Sequence, residues 1–270
     1  MSLPVTLFRY GEGTGRLDAV AVEEPLELRL HAPGGVGTED AGAGLPLGVL
    51  MRTPGQDRDL LLGWLISEGL LPAVFTLDPD PENANVWHLR TPEYARLAAG
   101  ARLAVSSSAC GVCGSGSIEG LAVRASGPVW TAGPLDAAFL ASLPERLRAV
   151  QPGFAATGGL HGAALFTAEG ALRCAREDVG RHNAVDKVVG WAHGQQPGPL
   201  GGQVLVVSSR AGFEIAQKAV TAGIGVVVAV GAATSLAVDT AAVFGVTLCG
   251  FTREGRLTVY AGADRVRSGP

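Results

Sequence analysis

Residues 203–230 read QVLVVSSRAGFEIAQKAVTAGIGVVVAV, and this stretch decides the fold. Apolar runs over 203–208 and 225–230 each have the length of a buried strand, and a helical segment over 212–223 lies between them. Strands that are apolar almost throughout and alternate with helices are typical of α/β proteins whose sheet is at least partly parallel. The alternation continues in predicted elements at 235–244, 246–251 and 256–260.

The chain before this stretch adds further elements and one candidate boundary. Apolar runs over 162–167 and 172–176 flank a short turn, which predicts a hairpin. The Gly/Pro-rich segment 127–134, GPVWTAGP, predicts a boundary between two domains. We therefore expect an N-terminal α+β domain over 1–130 and an α/β domain over 131–270.

Two further expectations concern the N-terminal part of the chain. Residues 1–16 carry no clear hydrophobic pattern, which predicts a loose arm. The run 102–106 is short and apolar, which predicts a strand.

Composition limits the class of protein. The chain has 270 residues, 47% of them hydrophobic and 17% charged, so it can build a large core. Its formal net charge of −4 gives no electrostatic basis for binding nucleic acid or an anionic membrane. The first residues do not resemble a secretory signal, and the most apolar stretch, 224–238, is too short to span a bilayer. We expect a cytoplasmic protein.

The segment SSSACGVCGSG, residues 106–116, places Cys110 and Cys113 in a C-x-x-C pair among small residues. One interpretation is a reactive thiolate in a loop, available for thiol exchange or persulfide formation. A second is half of a zinc site completed by His161 or Cys174, and a third is an inert pair. Cys174 and Cys249 are isolated in apolar strands, where a free cysteine is usually small core filler.

Three consecutive predicted strands of the C-terminal half end in small, hydroxyl-bearing or basic residues. Ser209 and Arg210 follow the first strand, residues 231–235 (GAATS) follow the second, and residues 251–256 (FTREGR) follow the third. In an α/β sheet, ligands bind at the carboxyl ends of the strands, where helix N-termini favour anions. This pattern favours a phosphorylated ligand.

The segment 177–188, EDVGRHNAVDKV, is unusually polar for so apolar a chain. Asn183, Asp186 and Lys187 share one face of the predicted helix over 182–192. One reading is a helix whose charges face water, and the other is a functional cluster that includes Arg181 and His182. His161, at the edge of a small-residue turn, is open to the same two readings.

Taken together, CGVCG, TGGLH, EDVGRHNAVDK, SSRAGFEIAQK and the C-terminal GFTREGR resemble the formate dehydrogenase accessory sulfurtransferase family, FdhD. The N-terminal MRTPG and LLLGWLISEGL resemble the opening segment of that family, so the resemblance covers nearly the whole chain. EDVGRHNAVDK is the most specific of these elements. The chain departs from the family pattern at Ser208-Ser209-Arg210, where serine-glycine-arginine is usual, and at Gly231-Ala232-Ala233, where serine-alanine-proline is usual.

The resemblance implies a sulfur carrier that accepts sulfur from a cysteine desulfurase as a persulfide. It implies transfer of that sulfur to the molybdenum cofactor, bis-molybdopterin guanine dinucleotide, for apo formate dehydrogenase. GDP or GMP would then mimic the cofactor. It also implies a cytidine-deaminase-like mixed-sheet core with a smaller N-terminal domain, and a homodimer.

The resemblance assigns roles to particular residues. Cys110 would carry the persulfide with Cys113 as helper, and no metal ligands are expected. The expected cofactor-binding residues are Phe251, Thr252, Arg253, Glu254, Gly255, Arg256, Arg210, His161, Arg181 and His182. The alternatives are a structural zinc protein, a thiol–disulfide oxidoreductase, and a non-catalytic protein that only delivers the cofactor.

Overall fold

The structure, a computed structural model, describes residues 1–9, 12–32, 44–105, 130 and 132–268. Its strands are β1 (Ser2–Arg9), β2 (Glu12–Ala19), β3 (Glu24–His31), β4 (Leu45–Arg52), β5 (Thr76–Pro79), β6 (Val86–Arg90), β7 (Leu135–Asp136), β8 (His161–Thr167), β9 (Leu172–Asp178), β10 (Gln203–Val207), β11 (Val226–Ala229), β12 (Thr247–Arg253), β13 (Arg256–Ala261) and β14 (Val266–Arg267). Its α-helices are α1 (Asp57–Ser67), α2 (Tyr94–Val105), α3 (Ala137–Arg148), α4 (Pro152–Thr157), α5 (Arg181–Gln195), α6 (Phe213–Thr221) and α7 (Ser235–Phe244).

A six-stranded mixed sheet in the order β13-β12-β11-β10-β8-β9 forms the larger part of the molecule. Its centre is parallel: Val204 of β10 pairs with Val226 of β11, which in turn pairs with Thr247 of β12. β8 runs antiparallel to β10 and forms the predicted hairpin with β9, while β13 runs antiparallel to β12. The predicted α/β class with a partly parallel sheet is confirmed.

The sheet is covered on both faces because its central strands are apolar throughout. Leu205 and Val207 of β10 face the layer formed by α5, α6 and α7. Val204 and Val206, the alternate residues, face α3 on the other side. Both crossover helices, α6 and α7, lie on one face, as is usual for successive parallel strands.

The N-terminal part of the chain forms a separate four-stranded sheet in the order β4-β3-β6-β5. The alternating Leu26, Leu28 and Leu30 of β3 point to one face, where they share a core with Leu61 and Leu65 of α1. This pattern of period two gives the strand one buried and one partly exposed face.

Helix α1 also packs against α5, and glycines set the distance between the two backbones. A Cβ added to Gly63 would lie 1.9 Å from the carbonyl oxygen of Asp186, and one added to Gly190 would lie 1.9 Å from that of Asp59. No side chain fits at either position. The two sheets are therefore joined by a backbone-to-backbone contact between helices.

Two sequence-based predictions are wrong. Residues predicted as a loose arm form the β1–β2 hairpin, and its exposed Leu3 and Leu17 explain why no buried pattern marks it. Of the strand predicted over 102–106, the described residues 102–105 are instead the last turn of α2, which extends to Val105. A short apolar run does not distinguish a strand from a helix by its periodicity.

The domain boundary proposed near residue 130 stays a prediction. The four-stranded sheet lies wholly before that position and the six-stranded sheet wholly after it. Among the helices that the structure describes, none combines the length and the apolar character needed to cross a bilayer.

Candidate functional site

The carboxyl ends of β10, β11 and β12 meet at one edge of the six-stranded sheet. The backbone N–H of Gly231 donates a hydrogen bond to the carbonyl oxygen of Ser209 (3.0 Å), and that of Phe251 donates to the carbonyl oxygen of Gly231 (2.9 Å). Ala211 and Ala233 form a parallel bridge beyond the strands. The three segments expected to bind phosphate therefore lie side by side.

Three helices begin at the same edge, because α5, α6 and α7 follow β9, β10 and β11. Their N-cap residues are Gly180, Gly212 and Thr234, and none of the three caps its helix with a side-chain hydrogen bond. The first N–H groups of a helix lack partners within the helix and carry partial positive charge. This edge of the sheet therefore has the electrostatics of an anion site.

His161 reaches this edge because β8 is antiparallel and starts where β10 ends. The residue pairs with Asp178 at the end of β9. The next residue, Gly162, donates its N–H to the Ser208 hydroxyl at 2.9 Å. His161 is thereby held between the starts of α5 and α6.

We call His161, Arg181, His182 and Glu214 the rim cluster. Nε2 of His182 lies 2.5 Å from the Glu214 carboxylate, and the Arg181 guanidinium lies 3.7 Å from the same oxygen. Burial lowers the pKa of His161, and the charges of Arg181 and His182 lower it further. The hydrogen bond from His182 lowers the pKa of Glu214. The cluster is thus a basic group that holds one carboxylate.

Arg210, which is exposed, follows Ser209 at the end of β10. A Cβ added to Gly231 would lie 3.0–3.2 Å from atoms of Arg210, so the β11 end packs closely on this residue. Arg210 follows the end of β10, the strand next to the one that His161 begins, at the same edge of the sheet.

The predicted cofactor segment 251–256 is the hairpin that joins β12 and β13. Glu254 (φ 52°) and Gly255 (φ 73°) form its two-residue turn, both with positive φ as a type I′ turn requires. Arg253 and Arg256 are exposed on either side of the turn. β12 is three strands away from β8, roughly 14 Å. The hairpin arginines are therefore separate from the rim cluster.

Phe251 and Thr252, which precede that turn, differ in the exposure of their side chains. The ring of Phe251 is half exposed, at 49%, on a backbone with φ 49°. Thr252 is fully buried, and its hydroxyl has no hydrogen-bond partner. Only Phe251 of the two presents its side chain to solvent at the edge.

Three charged residues of 177–188 do not face water: Asp178, Asp186 and Lys187 are buried. Lys187 and Asp178 form an ion pair of 2.8 Å, and both side chains are fully buried. Asp178 also accepts hydrogen bonds from the Thr53 N–H (3.1 Å) and the Asn183 amide (3.1 Å), and Lys187 donates to the Thr53 carbonyl (2.8 Å). We call Thr53, Asp178, Asn183 and Lys187 the buried ion-pair cluster. It ties the turn after β4 to the start of α5.

A second buried pair involves Asp186, the neighbour of Lys187 on α5. Lys218 of α6 donates to both carboxylate oxygens of Asp186 at 2.8 Å, and the Ser67 hydroxyl of α1 donates to one of them at 2.8 Å. The interpretation of Asp186 and Lys187 as charges on a solvated helix face is wrong. These residues stabilise the packing of α1, α5 and α6.

The two cysteines that the structure describes are both buried and free. Burial raises the pKa of Cys174 to about 11 and that of Cys249 to about 12, which leaves both as thiols at neutral pH. Their prediction as core filler is confirmed. Cys110 and Cys113 lie outside the described residues. Within the described part of the chain, no three His, Cys, Asp or Glu residues form a group suited to a metal ion.

Sequence reasoning missed two features of this region. It did not single out Glu214, although the residue lies in the first turn of a helix that the sequence places at this edge. It also missed the distant partners of two buried acids: Thr53 is 125 residues from Asp178, and Lys218 and Ser67 are 32 and 119 residues from Asp186. Separations of this size leave no local pattern.

Comparison with known proteins identifies the family. The sulfur carrier protein FdhD of Streptomyces coelicolor is 44% identical over 97% of this chain and 94% of its own length. The sulfur carrier protein FdhD of Mycolicibacterium paratuberculosis is 42% identical over 97% of both chains. The crystal structure of a protein assigned as a formate dehydrogenase accessory protein, from Desulfotalea psychrophila, superposes with a TM-score of 0.75 over 99% of each chain at 20% identity, which shows the fold. A family model matches residues 41–267, and the chain belongs to the FdhD/NarQ family.

Proposed function

We propose that this protein is a sulfurtransferase that carries sulfur as a persulfide on Cys110, with Cys113 as helper. It accepts the sulfur from a cysteine desulfurase and transfers it to bis-molybdopterin guanine dinucleotide for apo formate dehydrogenase. The observation that carries the proposal is full-length similarity to proteins named sulfur carrier protein FdhD. The C-x-x-C pair supplies the chemistry, because a thiolate is the nucleophile in sulfur exchange.

The carboxyl edge of the sheet is the proposed site for the phosphates of this cofactor. Three helix starts without side-chain caps, together with Arg210, fit a diphosphate. The proposed binding residues are His161, Arg181, His182 and Arg210 at the sheet edge, and the segment from Phe251 through Thr252, Arg253, Glu254 and Gly255 to Arg256. GDP and GMP serve as simpler ligands for the same site.

Three further points belong to the same proposal. The six-stranded sheet is the cytidine-deaminase-like core of the family. Two copies of the chain form a homodimer, and the protein works in the cytoplasm. Size-exclusion chromatography with light scattering measures the oligomeric state directly.

The sulfur-carrying role is tested by incubating the protein with a cysteine desulfurase and cysteine. Mass spectrometry should find an adduct of about 32 Da, one sulfur atom, on wild type and none on Cys110→Ala. Cys174→Ala is the matched control, and it should load normally because that thiol is buried with a pKa of about 11. A normal adduct on Cys110→Ala would overturn the assignment.

The nucleotide site is tested by calorimetry with GDP on a variant in which Arg210, Arg253 and Arg256 are all alanine. Affinity should fall at least about a hundredfold, since hydrogen bonds to charged groups contribute roughly 1.5–3 kcal/mol each. Arg96→Ala, an exposed arginine on α2, should bind GDP like wild type. Equal affinity of the triple variant and wild type removes this site.

A further inference from the structure

Glu214 places a negative charge inside the basic end of the sheet. It is the second residue of α6, and its carboxylate contacts His182 Nε2 at 2.5 Å and Arg181 at 3.7 Å. His182 and Arg181 are the first residues of α5, so the carboxylate lies between two helix starts. A carboxylate there receives the stabilisation that this edge would give to a bound anion.

Two other carboxylates near this edge, those of Asp178 and Glu177, bind partners outside the rim cluster. Asp178 is buried in its ion pair with Lys187. Glu177 accepts hydrogen bonds from the N–H groups of Gly153 (2.8 Å) and Phe154 (2.7 Å), at the start of α4. Glu214 differs from both because its contacts are with the side chains of the rim cluster. Those side chains remain partly open to solvent, with Arg181 42% exposed and Glu214 30% exposed.

His182 Nε2 has one N–H for two possible acceptors, the Glu214 carboxylate and an incoming phosphate oxygen. Nε2 of an imidazole carries a single N–H, and in the ligand-free protein that proton is given to Glu214. A phosphate oxygen that approaches Arg181 and His182 meets a carboxylate of like charge at hydrogen-bonding distance from the same donor. Like charges at that separation repel, so the two anions do not share the position.

We propose that Glu214 is an internal counter-anion, which holds the anion position of the ligand-free site and is displaced by an incoming phosphate group. The inference rests on the proposed function only in placing a nucleotide diphosphate at this edge. The displacement is a rotation of the Glu214 side chain toward solvent, and no covalent bond changes. His182 Nε2 and Arg181 then bind the phosphate in place of the carboxylate.

The counter-anion sets which ligands bind. A ligand must supply more charge to the rim cluster than the carboxylate that leaves, which favours pyrophosphate groups over monoanions. It also keeps Arg181 and His182 paired when no ligand is bound. Removing the charge of Glu214 should therefore strengthen binding of any phosphate ligand, whereas a residue that orients the ligand would weaken it when removed.

The test compares wild type with Glu214→Gln, which keeps the shape, and Glu214→Ala, which empties the position. Calorimetry at low ionic strength uses inorganic pyrophosphate and, separately, GDP. Both variants should bind pyrophosphate about three- to tenfold more tightly than wild type, the range expected for release of a partly exposed ion pair. Glu145→Gln, an exposed acid on α3, is the matched control and should leave the affinity unchanged.

A second readout follows the donor itself. In wild type, pyrophosphate should shift the NMR resonance of His182 Nε2, because the partner of that nitrogen changes. Weaker or equal pyrophosphate binding by both Glu214 variants overturns the counter-anion. A gain for pyrophosphate with no GDP binding by any variant supports the counter-anion and removes the nucleotide from the proposed function. Pyrophosphate binding that is equal in wild type and both variants, with GDP still bound, overturns the counter-anion and leaves the proposed function standing.

Discussion

The buried ion-pair cluster and the rim cluster draw on the same segment, EDVGRHNAVDK, yet they differ in how completely their polar groups are satisfied. Asp178 and Lys187 are fully buried and hydrogen-bonded to several partners, including the backbone of Thr53. Arg181 and His182 reach solvent and share one carboxylate. A cluster whose polar groups all have buried partners stabilises the fold. A partly exposed cluster at a sheet edge keeps polar groups available to a ligand.

The largest effect on stability should come from Lys187→Met. This change leaves the Asp178 carboxylate buried without its counter-charge, which typically costs about 3–5 kcal/mol in free energy of unfolding. Guanidinium denaturation followed by circular dichroism measures it. Arg96→Met, which breaks an exposed pair with Glu93, is the control and should change stability little. A small loss for Lys187→Met would mean that the two clusters do not differ in kind.

The next effect should come from Gly190→Ala in α5. The new Cβ would lie 1.9 Å from the Asp59 carbonyl oxygen, so the helices must separate, at a cost of about 1–3 kcal/mol. Gly194→Ala lies in the same helix with nothing within 4 Å of the added Cβ, and it should instead gain about 0.5–1 kcal/mol from helix propensity. A melting temperature below that of wild type for Gly190→Ala and above it for Gly194→Ala would establish the close contact.

At the rim, Arg210→Ala should separate binding from stability. The side chain is exposed, so the free energy of unfolding should stay within about 0.5 kcal/mol of wild type. GDP affinity should nevertheless fall about tenfold, the share of one charged hydrogen bond. A stability loss comparable with that of Lys187→Met would place Arg210 in the fold and not in the site.

The smallest effect should be a pH dependence carried by His161. Its pKa is lowered by burial and by Arg181 and His182, so the unfolded chain binds the proton more readily. Stability should therefore be fully present above about pH 6.5 and should fall as the pH drops below the unfolded pKa. His161→Gln should lessen that fall in denaturation curves at pH 7.5 and 5.5. An unchanged pH slope in the variant would contradict the assigned direction.

How much of this was predictable depends on whether the signal is local. The parallel core could be predicted because VLVV and GVVVAV are apolar throughout. The edge where the strands end and the helices begin followed from the topology that such strands imply. The β1–β2 hairpin was not readable, because its Leu3 and Leu17 are exposed and bury no pattern.

The partners of the polar segment 177–188 could not be predicted from the sequence because they are distant in the chain. Asp186 pairs with Lys218, 32 residues away, and with Ser67, 119 residues away. Composition shows only that the segment is polar, and the same composition suits a solvated helix face, a binding site or a buried network. The structure places Asp178 and Lys187 in the buried network and Arg181 and His182 in the partly exposed rim cluster.

The joint between α1 and α5 has a consequence for how the chain is made. The Thr53 carbonyl accepts a hydrogen bond from Lys187, 134 residues later in the chain. The Thr53 N–H donates to Asp178, 125 residues later. On the ribosome, the α5-facing side of α1 stays uncovered until α5 is made, and α5 begins at Arg181, 114 residues after α1 ends at Ser67. Contacts so distant in sequence slow folding and leave apolar surface open to aggregation in the interval. A nascent chain arrested before residue 180 should therefore depend on a chaperone.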